Sequence, residues 1–152
     1  MYQALIVLHS YVRWFVVVSL LMSLYNAFRG YYSNAAFTKA DNAIRHWTAT
    51  IAHIQLIVGM TLYFHSPLIQ YFLKTRHSAQ EDFGYLFFGV LHSTLMLVAI
   101  VIITIGSALA KRKETDNHKF RTMLIWYSLA LLIIFIAIPW PFSPFAKRPY
   151  LR

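Results

Sequence analysis

Four long apolar stretches, none containing Asp or Glu, constrain this chain more than any other feature. They run over about residues 3–28, 46–65, 84–109 and 120–139, the second with an apolar tail after Pro67. Each is long enough to cross roughly 30 Å of hydrocarbon at about 1.5 Å per helical residue. The stretches are continuously apolar rather than alternating, and four strands could not close a membrane barrel, so helices are expected. The expected fold is an all-α membrane protein, a single up-down bundle of four transmembrane helices over residues 1–152. Composition agrees: 59% of residues are hydrophobic and 12% charged, against about 45–50% and about 25% in soluble domains. Pro139-Trp140-Pro141 is expected to stop the fourth helix.

A net charge of +9 raises nucleic acid as a partner, but the placement of that charge argues against it. Arg29, Lys39 and Arg45 fall in the first loop, and Lys111, Arg112, Lys113, Lys119 and Arg121 in the third. Lys74 and Arg76 lie in the second, with Lys147, Arg148 and Arg152 in the tail. The positive-inside rule then places loops one and three in the cytoplasm of a bacterial inner membrane, with both termini periplasmic. Anionic headgroups are the expected partners of the charge. Tyr2, Tyr31, Tyr32, Trp47, Tyr63, Tyr85 and Trp140 fit aromatic belts at the two interfaces. No Lys or Arg precedes the first apolar run, so that run is expected to stay as a helix rather than be cleaved. Ala49, Ala52 and Gly59 on the second helix, and Gly106 and Ala110 on the third, offer surfaces for close helix contact.

Chemistry is carried by polar groups in an apolar setting, where they are expensive and by default functional. His9 lies roughly 9 Å and His92 roughly 12 Å from the outer surface, on the first and third helices. Those helices run in the same direction and are expected to sit diagonally across the bundle. Two His at matched depth on facing helices is the arrangement that a bis-imidazole haem b requires. His53 lies nearer the inner face and His118 opens the fourth helix. They form a possible second, inner pair, although their depths differ by more than about 10 Å. His53 with His92 is the other option. Each of these His has an ordinary alternative as a hydrogen-bonded packing residue.

Arg13 is the sharpest signal, one turn after His9 on the same face and roughly 15 Å deep. All five acids, Asp41, Glu81, Asp82, Glu114 and Asp116, fall outside the apolar stretches. Expected partners for Arg13 are carbonyls, water, an inward-folded loop acid, a partner subunit or an anionic ligand such as a haem propionate. Gln55 and Asn26 could bridge helices, and the Phe-rich third helix is expected to face lipid rather than a cofactor. Other chemistries lack their motifs. There is no phosphate loop, no H-E-x-x-H and no nucleophile elbow. With no Cys, thiolate-held clusters and C-x-x-C-H haem attachment are excluded.

His9-Ser10-x-x-Arg13-Trp14, Ala52-His53-x-Gln55 with Gly59 and Tyr63, His92, His118-Lys119 and Ile138-Pro139-Trp140-Pro141-Phe142 together resemble a family of small bacterial four-helix membrane proteins. Its members are commonly labelled cytochrome b. The resemblance spans most of the chain. It implies haem b, one or two per chain, with His9, His53, His92 and His118 as candidate ligands, one per helix. The leading expectation is electron transfer in a respiratory or quinol-linked chain, with quinone and other membrane redox subunits as partners. The alternatives are a haem-free accessory subunit of a membrane complex, or a His-lined conduit for metal ions or protons.

Overall fold

The computed structural model describes residues 1–75 and 83–138. The elements are α1 (Tyr2–Tyr32), α2 (Lys39–His65), α3 (Pro67–Lys74), α4 (Phe83–Leu86), α5 (His92–Arg112) and α6 (Asp116–Ala137). A π-helical turn at Phe87–Leu91 joins α4 to α5, so that Gly84–Arg112 forms one long apolar span. With α1, α2 and α6 it makes four helices long and apolar enough to cross a membrane. The chain is an all-α, multi-pass membrane protein. Its outward faces carry Phe15, Leu21, Ile57, Val101 and Leu132, all exposed, as lipid contact requires.

The helices form an up-down square. α1 packs on α2 and α6, α5 packs on α6 and on α2, and α1 and α5 stand diagonally. The end that carries Met1, Ser66 and Ile138 is called the upper end here.

Hydropathy located the helices, but capping chemistry sets their ends. α2 begins at Lys39 rather than near His46, because Thr38 and Asp41 form a reciprocal capping box. The Thr38 Oγ1 accepts from the Asp41 amide (3.2 Å), and Asp41 Oδ2 accepts from the Thr38 amide (2.9 Å). α6 begins at Asp116 because Thr115 caps it through the His118 amide. Proline ends two helices by pushing the preceding residue out of the helical region. Ser66 before Pro67 has ψ 121°, and Ile138 before Pro139 has ψ 129°. The expected endpoint at Pro139-Trp140-Pro141 lies outside the described residues. Asn34 turns the first loop with φ 49°, a left-handed conformation that Asn tolerates. Asn117 of α6 holds that loop by donating to Asn34 Oδ1 (2.9 Å) and the Tyr31 carbonyl (3.1 Å).

The tight core sits in the lower half, where small residues let large ones in. The Phe120 ring lies on Gly30, and Trp126 lies on Gly106, each where a Cβ would collide. Ala27, Ala110 and Ala130 are fully buried around Tyr127 and Met123. Between α1 and α2, Thr48 donates to the Ser19 carbonyl (3.2 Å), so Ser23 donates to Thr48 (2.7 Å). Arg45 is not a loop residue. It lies inside α2, 5% exposed, and its guanidinium donates to the Ser107 carbonyl (2.9 Å), the Ser107 hydroxyl and Asn42 Oδ1.

Candidate functional site

The upper half encloses a half-open cavity of about 240 Å³ between α1, α2, α5 and α6. His9, Ser10 and Arg13 of α1 face it, as do Ala52, Gln55 and Gly59 of α2 and His92 of α5. The His9 and His92 rings meet across the diagonal with centroids 6.3 Å apart and planes at 70°. The matched-depth pair expected from helix rise alone is therefore brought together.

His92 is set from two sides. Its Nδ1 bonds the Ala137 carbonyl at 2.8 Å. That carbonyl is the last of α6, and the residue one turn further on, Pro141, has no N–H to offer it. A carbonyl only accepts, so Nδ1 carries the ring proton and Nε2 keeps its lone pair. The π-helical turn immediately before His92 rotates the helix face at this point, a device found often at functional sites. Tyr63 holds the turn by donating to the Gly89 carbonyl (2.9 Å), and the Phe72 ring of α3 rests on Gly89. Phe87 and Phe88 lie with ring centroids 6.0 and 6.1 Å from that of His92. Phe87 is buried and Phe88 lines the cavity, so these two rings wall the site rather than face lipid.

His9 is set by α2. Gly59 lets the ring approach, since a Cβ there would lie 3.3 Å from His9 Cε1. Gln55 Nε2 donates to the His9 carbonyl (3.1 Å) and lies 3.2 Å from His9 Nδ1. The Gln55 Oε1 is buried with no hydrogen-bond partner among the described residues. Arg13 lies one turn deeper on the same wall, with its guanidinium carbon 5.5 Å from the Trp14 ring centroid.

The remaining candidate His residues take no part in this cavity. His53 is exposed on the α2–α5 seam, with Nε2 2.9 Å from Thr104 Oγ1. His118 is exposed in the first turn of α6, at the opposite end of the bundle. The earlier start of α6 does not bring it to the site. His65 is exposed and bonds the Thr61 carbonyl within its own helix, and His77 lies outside the described residues. A second cavity, bordered by Val17, Leu131 and Phe135, is lined without any His. Among the described residues no three His or carboxylate groups come together as a cage for a metal ion.

Gln55 bridges α2 to α1 as its place in an apolar helix suggested, although the sequence does not name His9 as its partner. The π-helical turn and the Ala137 carbonyl escape a reading of the sequence, and only the second had a local signal, the proline two residues on. Searches of protein-family models, of curated proteins and of solved structures find no match to this chain.

Proposed function

We propose that this protein binds haem b in the upper cavity and passes electrons within a membrane redox chain. The observation that carries the reading is the facing pair His9 and His92, contributed by diagonal helices and opened towards a shared cavity. The donor set fits the group. A porphyrin brings four nitrogens of its own, so two imidazoles complete the iron without any third protein ligand. His92 has the second bond that ligating histidines usually have, from the far ring nitrogen to a backbone carbonyl. The volume of about 240 Å³ is below the roughly 300–1,000 Å³ usual for small-molecule pockets, and the cavity is not fully enclosed.

A haem held there would supply one-electron exchange at a fixed depth in the membrane. The chain's own residues would do the rest. His92 and His9 would hold the iron. Arg13 would pair with a propionate, or favour the reduced state by its fixed positive charge. Phe87 and Phe88 would keep water from the His92 side. The lower end carries Arg29, Lys39, Lys111, Arg112, Lys113, Lys119 and Arg121. That bias supports a cytoplasmic lower end, periplasmic termini and a bacterial inner-membrane location. A quinol pool and neighbouring redox subunits are the partners this reading calls for.

A haem-free accessory subunit is the second reading, and one observation favours it. His53 is exposed near the middle of α2, where a helix of another subunit would cover it. Visible spectra decide between the two. Protein purified after expression with ample haem is expected to show a Soret band, a dithionite-reduced b-type spectrum and a pyridine haemochrome near one haem per chain. His92→Leu is expected to remove all three. A colourless wild-type protein would end the haem reading, and an unchanged His92→Leu spectrum would take His92 out of the site.

A further inference from the structure

Met60 stands apart from the other described residues that line the upper cavity. It is 43% exposed, while the rest are buried or half-buried. A side chain is both cavity wall and outer surface only where the wall is open. Met60 lies on the stripe of α2 that faces α5. His53, one end of that stripe, bonds Thr104, and Tyr63, the other end, bonds the Gly89 carbonyl. The opening is therefore in the α2–α5 seam, between those two bridges, over about 15 Å of helix. Met96 of α5 lines the cavity from the facing lip. This seam is also the most loosely packed side of the square.

The end of the seam nearest water is treated differently. α3 packs on α2 and on the π-helical turn, above the opening. Its Ile69 and Phe72 are buried, and Leu68 and Ile69 close on the cavity. Gln70 and Lys74 stay outward. A helix with one apolar and one polar face suits the plane of a membrane interface. The seam is thus roofed on the water side and open on the hydrocarbon side.

We infer that the upper half of the α2–α5 seam is a lateral entrance, through which the cavity takes a flat, lipid-soluble ligand directly from the bilayer. Met60 and Met96 are its lips. Their unbranched thioether side chains adapt to an apolar body as it passes. The polar end of such a ligand then meets Ser10, Arg13 and Gln55 inside. The ligand's identity rests on the haem reading: on that reading it is haem dissolved in the membrane, loaded sideways rather than from water.

The first test needs no haem. The chain has no Cys, so an introduced thiol is the only one. Ser10→Cys puts it on the cavity wall beside Arg13, whose charge favours the reactive thiolate. In liposomes, pyrene maleimide dissolved in the bilayer is expected to label this thiol, and a sulfonated, membrane-impermeant maleimide is not. Adding Met60→Trp, or separately Met96→Trp, is expected to slow the pyrene reaction about tenfold, since entry must then wait for the helices to part. Either lip variant suffices if the other does not fold. Labelling by the impermeant reagent at the pyrene rate, no pyrene labelling, or a rate unchanged by the lip substitutions would overturn the inference. The second test rests on the haem reading. Haem dissolved in liposomes is expected to enter haem-free wild-type protein, seen as growth of the Soret band, and to enter the lip variants about tenfold more slowly. Equal rates would also overturn the inference. A wild type that takes up no haem counts against the haem reading alone, and the pyrene result then decides the entrance.

Discussion

The two halves of the bundle each place an arginine inside the protein, and they treat it differently. In the lower half Arg45 is surrounded by neutral acceptors from its own chain, the Asn42 side chain and both oxygens of Ser107. Tyr127 also reaches across the bundle to the Arg45 carbonyl (3.2 Å). Everything nearby is filled: Phe120 against Gly30, Trp126 against Gly106, Ser23 against Thr48. In the upper half Arg13 borders a cavity with His9, Gln55 and His92, and small residues such as Ser10, Ala52 and Gly59 keep the space open. The contrast separates two uses of a costly polar group. Arg45 ties three elements together and completes the packing. Arg13 faces a space sized for something else.

If that division holds, substitutions in the lower half should act on stability and those in the upper half on the ligand. The largest effect is expected from Gly106→Leu. A side chain there meets Trp126 at its Cβ, close to the backbone, where it cannot swing away. A loss above about 3 kcal/mol is expected, read as failure to resist unfolding by SDS in mixed micelles. Next comes Arg45→Met, which preserves much of the volume but strands the acceptors of Asn42 and Ser107. About 2 kcal/mol should be lost in the same titration, with any bound chromophore unchanged. A bleached but stable Arg45→Met protein would contradict the division.

Arg13→Leu should do the reverse. Its stability loss should be less than half that of Arg45→Met, and the midpoint potential of bound haem should fall as the fixed positive charge disappears. A potentiometric titration showing no fall would detach Arg13 from the site. The smallest effect belongs to His53→Leu. It removes one hydrogen bond, to Thr104, worth about 0.6 kcal/mol in a membrane, and should leave the absorption spectrum as it was. A changed spectrum would restore His53 as a ligand.

How much of this could be read in advance varies with the kind of signal. Helix number and direction followed from the length of the apolar runs, and the His9–His92 pair followed from adding up helix rise on two parallel helices. Both are one-dimensional quantities. The Thr38–Asp41 box was present in the sequence, but it lay beyond the apolar segment and moved the start of α2 far enough to take Arg45 out of the loop. The Phe-rich third helix reads as lipid-facing from its sequence, where nothing marks a break in the regular helix. The π-helical turn shifts the face that follows, and the rings of Phe87 and Phe88 come to rest beside His92. His118 has the right residue type but the wrong end of the bundle.

From the sequence alone came a bundle of four membrane-crossing helices, the order in which they go up and down, and the matched height of His9 and His92. Each of those depends only on hydrophobicity and on a fixed rise per residue. Tertiary structure alone decided which way the polar groups turn and what they touch. The carboxamide of Gln55 meets His9, the last carbonyl of α6 meets His92, and Ser107 meets Arg45. Hydrogen bonds depend on angle and on tenths of an ångström. Those are set by how the helices are rotated and packed against one another, which no single stretch of the sequence contains.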